Sequence, residues 1–232
     1  MTQSIEHSLI WKDGDQPVSN KFDDMFYSPD NGQAETAYVF LGGNGLQKRW
    51  DQTTQFVVGE LGFGTGLNFL ETWRLWKEVR KPGQSLKFVS FECYPMSGDA
   101  MARALQPWQS LRPLSASLVA RWTMRHDVDG PWQMDEQTAL QVIEGNAEHS
   151  VGKWKGQADA WYLDGFAPSK NPDMWSEKLM QDVYAHTATS GTFATYTAAG
   201  WVRRNLQQAG FVVAKRDGFA GKREMLVGHK AE

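Results

Sequence analysis

From Phe56 onward, short apolar runs alternate with longer stretches in which apolar residues return every three or four positions. Runs of the first kind, bounded by turn residues, read as buried strands, and the second kind as amphipathic helices. The pattern predicts a strand over Phe56–Glu60, a helix over Leu67–Val79, a strand over Lys87–Glu92 and a helix from about Ser97 to Leu105. After a Trp- and Pro-containing insert that runs to Pro131 come strands at Ala139–Gly145 and Ala158–Asp164, a helix near Ser176–Thr189, a strand at Gly191–Thr197 and a helix at Gly200–Ala209. Such alternation means a mostly parallel sheet. The last two apolar runs, Phe211–Arg216 and Glu224–Gly228, lie too close together for a crossover helix, so the sheet is expected to end in an antiparallel hairpin. The segment from Leu9 to Tyr38 is polar and punctuated by Asp, Asn, Gly and Pro, with apolar patches at FDDMFYS and AYVFLGGN. It predicts hairpins and loops. Residues 1–55 are therefore expected as an N-terminal elaboration packed on one α/β core at 56–232.

The most informative stretch is VVGELGFGTGLNF, Val57 to Phe69, in which a strand runs through Glu60 into Gly62, Gly64 and Gly66 and then into a helix. Glycines there let the backbone turn tightly and let a ligand lie against main-chain N–H groups at the helix start. A phosphate-binding P-loop would continue Gly-Lys-Ser/Thr, whereas Gly66 is followed by Leu67 and Asn68. A dinucleotide fingerprint spaces its third glycine one residue later, and Glu60 would repel a diphosphate. S-adenosylmethionine carries an ammonium, a sulfonium and ribose hydroxyls in place of phosphate, and these suit carboxylates beside a glycine turn. Glu92, at the end of the next strand, stands where βαβ units place the acid that meets ribose hydroxyls.

Ligands of parallel sheets bind at the strand carboxyl ends, which gathers Glu60, Glu92, Asn146 and Asp164 around one cleft. Asp164 opens the loop Gly165-Phe-Ala-Pro-Ser-Lys-Asn-Pro, whose two prolines forbid a helix. It is expected beside the reacting end of the cofactor. The single cysteine, Cys93, excludes an internal disulfide framework and a cysteine-based zinc site, and reads as a buried apolar residue at a strand end. No metal is expected. No apolar stretch approaches the roughly 20 residues of a membrane span, and the start has no signal-peptide pattern, so the expected location is cytoplasmic. The eleven tryptophans read mainly as packing residues.

GELGFGTGLNF, the strand ending at Glu92, WYLDGFAPSKNPDMW (Trp161–Trp175), MFYSPDNGQAETAYVFLGGNGL (Met25–Leu46) and GFAGKREML (Gly218–Leu226) together resemble the MnmC family, and within it the methyltransferase domain also found as a stand-alone MnmD-type enzyme. The resemblance implies a class I Rossmann-like fold. It implies methyl transfer from S-adenosylmethionine to the amine of 5-aminomethyl-2-thiouridine at the tRNA wobble position, giving 5-methylaminomethyl-2-thiouridine. Bifunctional members add a C-terminal FAD-dependent oxidoreductase domain that first removes a carboxymethyl group from the base. Nothing like it follows Gly228, so the expectation is either a stand-alone enzyme or one domain of a longer one. Carried across, Glu60, Gly62, Gly64, Gly66, Asn68, Glu92, Asn146 and Asp164 would hold the cofactor, with Asp164 also the catalytic carboxylate. Phe166 and Pro168 would cover the substrate, joined by Ser28 and Glu35 of the early signature, where Asn44 also falls.

An alkylamine is mostly protonated at neutral pH, and a carboxylate near 3.9 is poorly matched to remove a proton held near 10.4. Asp164 is therefore expected to orient a neutral amine, proton loss accompanying entry into a desolvated site. The formal charge of −3 does not suit a polyanion partner such as the tRNA anticodon loop. A local patch must compensate, and Arg203, Arg204, Lys215, Arg216, Lys222 and Arg223 cluster late in the chain, with Lys153, Lys155 and Lys170 elsewhere. A methyltransferase acting on a small-molecule amine is the alternative; it would explain the acidic charge but not the Asp164–Trp175 loop.

Overall fold

The computed structural model describes residues 9–12, 15–28, 31–125 and 130–231. Parts of the expected N-terminal elaboration (1–8), of the Met25–Leu46 signature (29–30) and of the long insert (126–129) lie outside the described residues.

Strands β1 (Leu9–Lys12), β2 (Gln16–Ser19) and β3 (Asp24–Met25) form a small antiparallel sheet, as the hairpin pattern predicts. The next segment corrects that reading. Asn31 caps helix α1 (Gly32–Thr36) by accepting a hydrogen bond from Ala34 N at 2.9 Å, and α1 runs directly into a π-helical stretch, Ala37–Gly42, followed by α2 (Leu46–Trp50). The apolar patch here is helical because burial on one side decides it. Val39, Phe40 and Leu41 join Leu46 and Trp50 in the core.

The core follows as β4 (Gln55–Leu61), α3 (Leu67–Val79), β5 (Ser85–Glu92), α4 (Gly98–Leu105), α5 (Arg112–Thr123), β6 (Trp132–Asp135), β7 (Thr138–Glu144), α6 (Ala147–Ser150), β8 (Ala158–Leu163), α7 (Glu177–Ala185), β9 (Thr187–Thr195), α8 (Gly200–Ala209), β10 (Phe211–Asp217) and β11 (Glu224–Lys230). Its eight strands lie in the order β10-β11-β9-β8-β4-β5-β7-β6. Pairings from β9 through β7 are parallel, whereas β11 is antiparallel to β9 and forms the expected terminal hairpin with β10. Strand order reverses between β4 and β8, the switch point at which open α/β sheets leave a crevice.

Four details differ from the sequence pattern. Helix α5 lies inside the insert, because Pro113 sits in its first turn, where a missing N–H costs nothing. A short antiparallel edge strand, β6, precedes β7. Helix α7 stops at Ala185 rather than Thr189, since Thr187 already pairs with Ala158 of β8 and β-branched threonines favour the pleated strand. Cys93 is exposed, since β5 ends one residue earlier, at Glu92, and the chain then bends away.

Aromatic packing fills both faces of the sheet. Phe40, Phe69, Trp73, Trp76, Phe88 and Trp122 lie on the α3–α5 side, and Phe91, Trp161, Trp175 and Phe193 on the α6–α8 side. Tryptophan here is chiefly a core residue. Among the described residues, no helix is long and apolar enough to cross a membrane.

Gly59 lets β4 lie flat against Trp161, since a Cβ there would come within 2.7 Å of the buried indole. Gly59→Ala is expected to destabilise the fold by about 1–3 kcal/mol through overpacking. Urea titration followed by tryptophan fluorescence measures this, with a lower midpoint and an unchanged slope as the expected result.

Candidate functional site

The loop after β4 places Gly62, Gly64 and Gly66 at φ of +87°, +53° and +79°, where side chains other than glycine are strained. A Cβ on Gly62 would stand 2.7 Å from the carbonyl oxygen of Asp164, so the ends of β4 and β8 meet at this glycine. Gly66 forms the N-cap of α3, and Asn68 lies in that helix's first turn. Asn68 joins the site together. Its Nδ2 donates to Glu60 Oε1 at 3.0 Å and to Asp164 Oδ2 at 2.6 Å, and its Oδ1 accepts from Thr36 Oγ1 at 2.6 Å. Across the cradle, Glu92 Oε2 accepts from Gly64 N at 3.0 Å and Oε1 from Tyr94 N at 2.7 Å.

Three carboxyl groups are thus enclosed in one crevice, and all are harder to ionise than usual. Burial drives Glu60 well above the ordinary carboxyl range, opposed by Ser90 and Asn68; apart from the buried Ser90 hydroxyl beside it, its Oε2 has no polar neighbour in hydrogen-bond reach among the described residues. Burial also raises Glu92, with its backbone N–H bonds opposing the shift. Asp164 is partly exposed as a residue, yet enclosure of its carboxyl pushes it up to about 7, opposed by Asn68 and Lys222 and reinforced by Glu35 and Asp24. No ion pair neutralises any of the three among the described residues. Such a site fits a ligand bringing positive charge and hydroxyl donors, and it opposes a diphosphate. S-adenosylmethionine meets that description: the carboxyl cluster suits its positive charge and hydroxyl donors, and the glycine cradle suits its close approach to the backbone. Among the described residues, no cluster of three His, Cys, Asp or Glu is placed to hold a metal ion.

The loop after β8 is roofed by aromatics. The Phe166 ring lies 4.9 Å from that of Phe22 and 5.2 Å from that of Phe26, while its carbonyl accepts from Trp175 Nε1 at 3.0 Å. Pro168 is buried, and Ala167 N donates to Asp24 Oδ2 at 2.8 Å, which clamps the loop to β3. Glu35 pairs with Lys222 Nζ at 2.5 Å, and that ammonium lies 4.6 Å from the centre of the Tyr196 ring. Tyr196, just beyond β9, donates its hydroxyl to Gly165 O at 2.8 Å.

Other candidates stand apart. Asn146 caps α6 by accepting from Glu148 N, Ser28 lies in coil after β3, and no hydrogen bond joins either to the carboxyl cluster among the described residues. Asn44 is a buried brace, donating to Phe40 O and Trp161 O and accepting from Thr192 Oγ1. Sequence reasoning missed Asp24 and Tyr196 as site neighbours. Tyr196 was accessible to the same strand-end rule that found Asp164. Several of the candidate phosphate-binding cations are already engaged: Lys215 with Glu224, Lys222 with Glu35, and Lys170 with Asp23 and Asp24.

The strand order, glycine cradle and enclosed carboxylates are those of a class I Rossmann-like methyltransferase. Residues 109–231, more than half of the chain, match a family described as S-adenosyl-L-methionine-dependent methyltransferase, and the chain belongs to that family. Over 230 residues it is 42% identical to the "tRNA 5-methylaminomethyl-2-thiouridine biosynthesis bifunctional protein MnmC" of Caulobacter vibrioides, covering 97% of this chain and 38% of the relative. The protein of the same name from Aliivibrio fischeri is 42% identical over 242 residues, covering 99% of this chain and 36% of the relative. The chain thus spans little more than a third of the length of these relatives. Among solved structures, that of MNMC2 from Aquifex aeolicus superposes with a TM-score of 0.75 at 20% identity, over 97% of this chain and 71% of that one, and shares the fold.

Because the folded protein holds the Asp164 proton to higher pH than the unfolded chain does, stability falls as pH rises from the unfolded carboxyl range to about 7, and the deficit is complete above that. Without ligand, Asp164→Asn is expected to melt above wild type at pH 8 and to lose that advantage near pH 4. Thermal unfolding across this pH range reads the difference.

Proposed function

We propose that this chain transfers a methyl group from S-adenosylmethionine to the aminomethyl nitrogen of 5-aminomethyl-2-thiouridine at the wobble position of tRNA. Support comes from the two MnmC relatives, each named for tRNA 5-methylaminomethyl-2-thiouridine biosynthesis. The observation that carries the chemistry is Asp164, enclosed at the switch point with Oδ2 tied to Asn68. In this reading Glu60, Gly62, Gly64, Gly66, Asn68 and Glu92 hold the cofactor, and Asp164 faces the amine. Asn146 would border the cofactor from the end of β7 and Ser28 the substrate from the end of β3. Residues 1–55 act as an elaboration that walls the substrate side of the 56–232 core, through Glu35 and through Phe22 and Phe26 against Phe166, with Pro168 beside them. In the bifunctional relatives, FAD-dependent chemistry in a further domain would expose the amine on which this part acts.

Bound S-adenosylmethionine supplies an electrophilic methyl group on sulfur. The protein's share is to present a lone pair to it. With Oδ2 held by Asn68, Asp164 Oδ1 is the oxygen available to the amine. A carboxyl raised to about 7 is a far better match to an ammonium than an ordinary aspartate, which supports proton acceptance beside orientation. Asp164 takes one N–H proton and keeps the nitrogen aligned. The Phe166 roof excludes water from that exchange, and Tyr196, by gripping Gly165 O, holds the loop against β9.

Labelled S-adenosylmethionine should deliver label only to tRNA carrying aminomethyl-thiouridine, and neither to otherwise identical tRNA lacking it nor to free alkylamines. Label appearing in free amines without RNA would instead establish the small-molecule reading. In the same assay kcat/KM should rise with pH through an inflection near 7, the ionisation of Asp164 in the free enzyme. Asp164→Asn should lower the rate by roughly 10²–10⁴-fold and abolish that inflection. An inflection kept by the variant would remove Asp164 from the role of base.

A further inference from the structure

Beside the Asp164 crevice lies a second, open groove of about 560 Å³ between the π-helical stretch and the β10–β11 hairpin. Ala37, Gly42 and Gly43 make one wall, while Tyr38, Phe219 and Arg216 supply the larger side chains. Tyr38 is 45% exposed for a large aromatic, and its ring lies 5.9 Å from that of Phe219. Its hydroxyl donates to Asp217 O at 3.0 Å, which fixes the ring against the hairpin. Arg216, paired in register with Met225, projects from the sheet's edge strand and has no hydrogen-bond or ion-pair partner for its guanidinium among the described residues. Its neighbour Lys215, by contrast, is neutralised by Glu224.

The groove shares its bordering elements with the proposed substrate site. The elements that line it also carry Glu35 and Lys222, whose ion pair ties α1 to the hairpin loop and whose charges both act on Asp164. A ligand reaching Asp164 past that pair would therefore leave its next unit in the groove. An exposed aromatic face and an uncompensated guanidinium complement a planar base and a phosphate, and the volume suits one nucleotide. An apolar protein segment would leave Arg216 unanswered.

Resting on the tRNA reading above, we propose that this groove is a nucleotide subsite. It receives the residue next to the modified uridine, with its base against Tyr38 and Phe219 and its phosphate on Arg216. The closely approaching wall of Ala37, Gly42 and Gly43 admits any base, so this subsite adds grip and register rather than sequence choice.

Fluorescence anisotropy with labelled, aminomethyl-thiouridine-containing tRNA tests it. Tyr38→Ala should raise Kd roughly ten-fold or more, whereas Tyr38→Phe, which keeps the ring and loses only the hairpin bond, should stay near wild type. Arg216→Gln should weaken binding and flatten the salt dependence by about one unit of log–log slope. An unchanged melting midpoint and an unchanged S-adenosylmethionine affinity would show that these variants are folded. If wild type binds and methylates the tRNA but both Tyr38→Ala and Arg216→Gln bind it equally well, the groove inference is overturned and the tRNA reading stands. If wild type neither binds nor methylates the tRNA, the reading itself fails and the groove falls with it.

Discussion

The amide of Asn68 is the contact on which the site depends. It sits in the first turn of α3, immediately after the glycine cradle, and spends both donor hydrogens on carboxylates from adjacent strands, Glu60 of β4 and Asp164 beyond β8. Through Thr36 it also fixes α1, whose next residues form the π-helical stretch. One side chain therefore couples the two strands of the switch point, the helix that starts at the cradle, and the helical segment flanking both crevices. Its position follows from the turn. Gly62, Gly64 and Gly66, all at positive φ, bring the start of α3 over the strand ends closely enough for a short amide to reach both acids.

Enclosing three carboxyl groups is costly unless something compensates, and in the folded chain the compensation is incomplete. Backbone N–H groups serve Glu92 and Asn68 serves the other two, but Glu60 stays well above the ordinary carboxyl range and Asp164 retains its proton to about 7. Lys222, the cation whose charge acts on Asp164, is committed to Glu35, and Lys170 of the following loop to Asp23 and Asp24. A cation-bearing ligand would relieve this imbalance directly. The arrangement also suits a positively charged cofactor at the centre of an overall acidic chain, while Arg216, without an ion-pair partner among the described residues, stands at the neighbouring groove.

The sheet and its chemistry were legible to different depths. The alternation of short apolar runs with 3.6-period segments located the parallel strands, most directly β4 and β8, which are largely buried and apolar, whereas β9 starts at Thr187, ahead of its expected start at Gly191. The same rule failed where burial was one-sided or brief: β6 is a four-residue edge strand, and the Ala37–Gly42 segment is apolar on a helix rather than in a loop. The Trp- and Pro-containing insert that ends near Pro131 predicts no helix, yet α5 starts there with Pro113 in its first turn, because a proline's effect depends on where in a turn it falls. Strand-end reasoning located Glu60, Glu92 and Asp164, but passed over Tyr196, which stands at the end of β9 by the same logic.

The sequence by itself determined the parallel α/β architecture, the terminal hairpin, the glycine turn and the acids at the strand ends, since each rests on local periodicity or on the conformational freedom of glycine. The tertiary structure alone decided which groups meet. The Asn68 bridge spans 96 residues to Asp164, Glu35 finds Lys222 across 187, and Tyr38 reaches Asp217 across 179. Pairings at such separations follow from packing of the whole sheet and leave no local pattern. The raised pKa of Asp164 belongs with them, because it depends on how completely neighbouring elements shut out water.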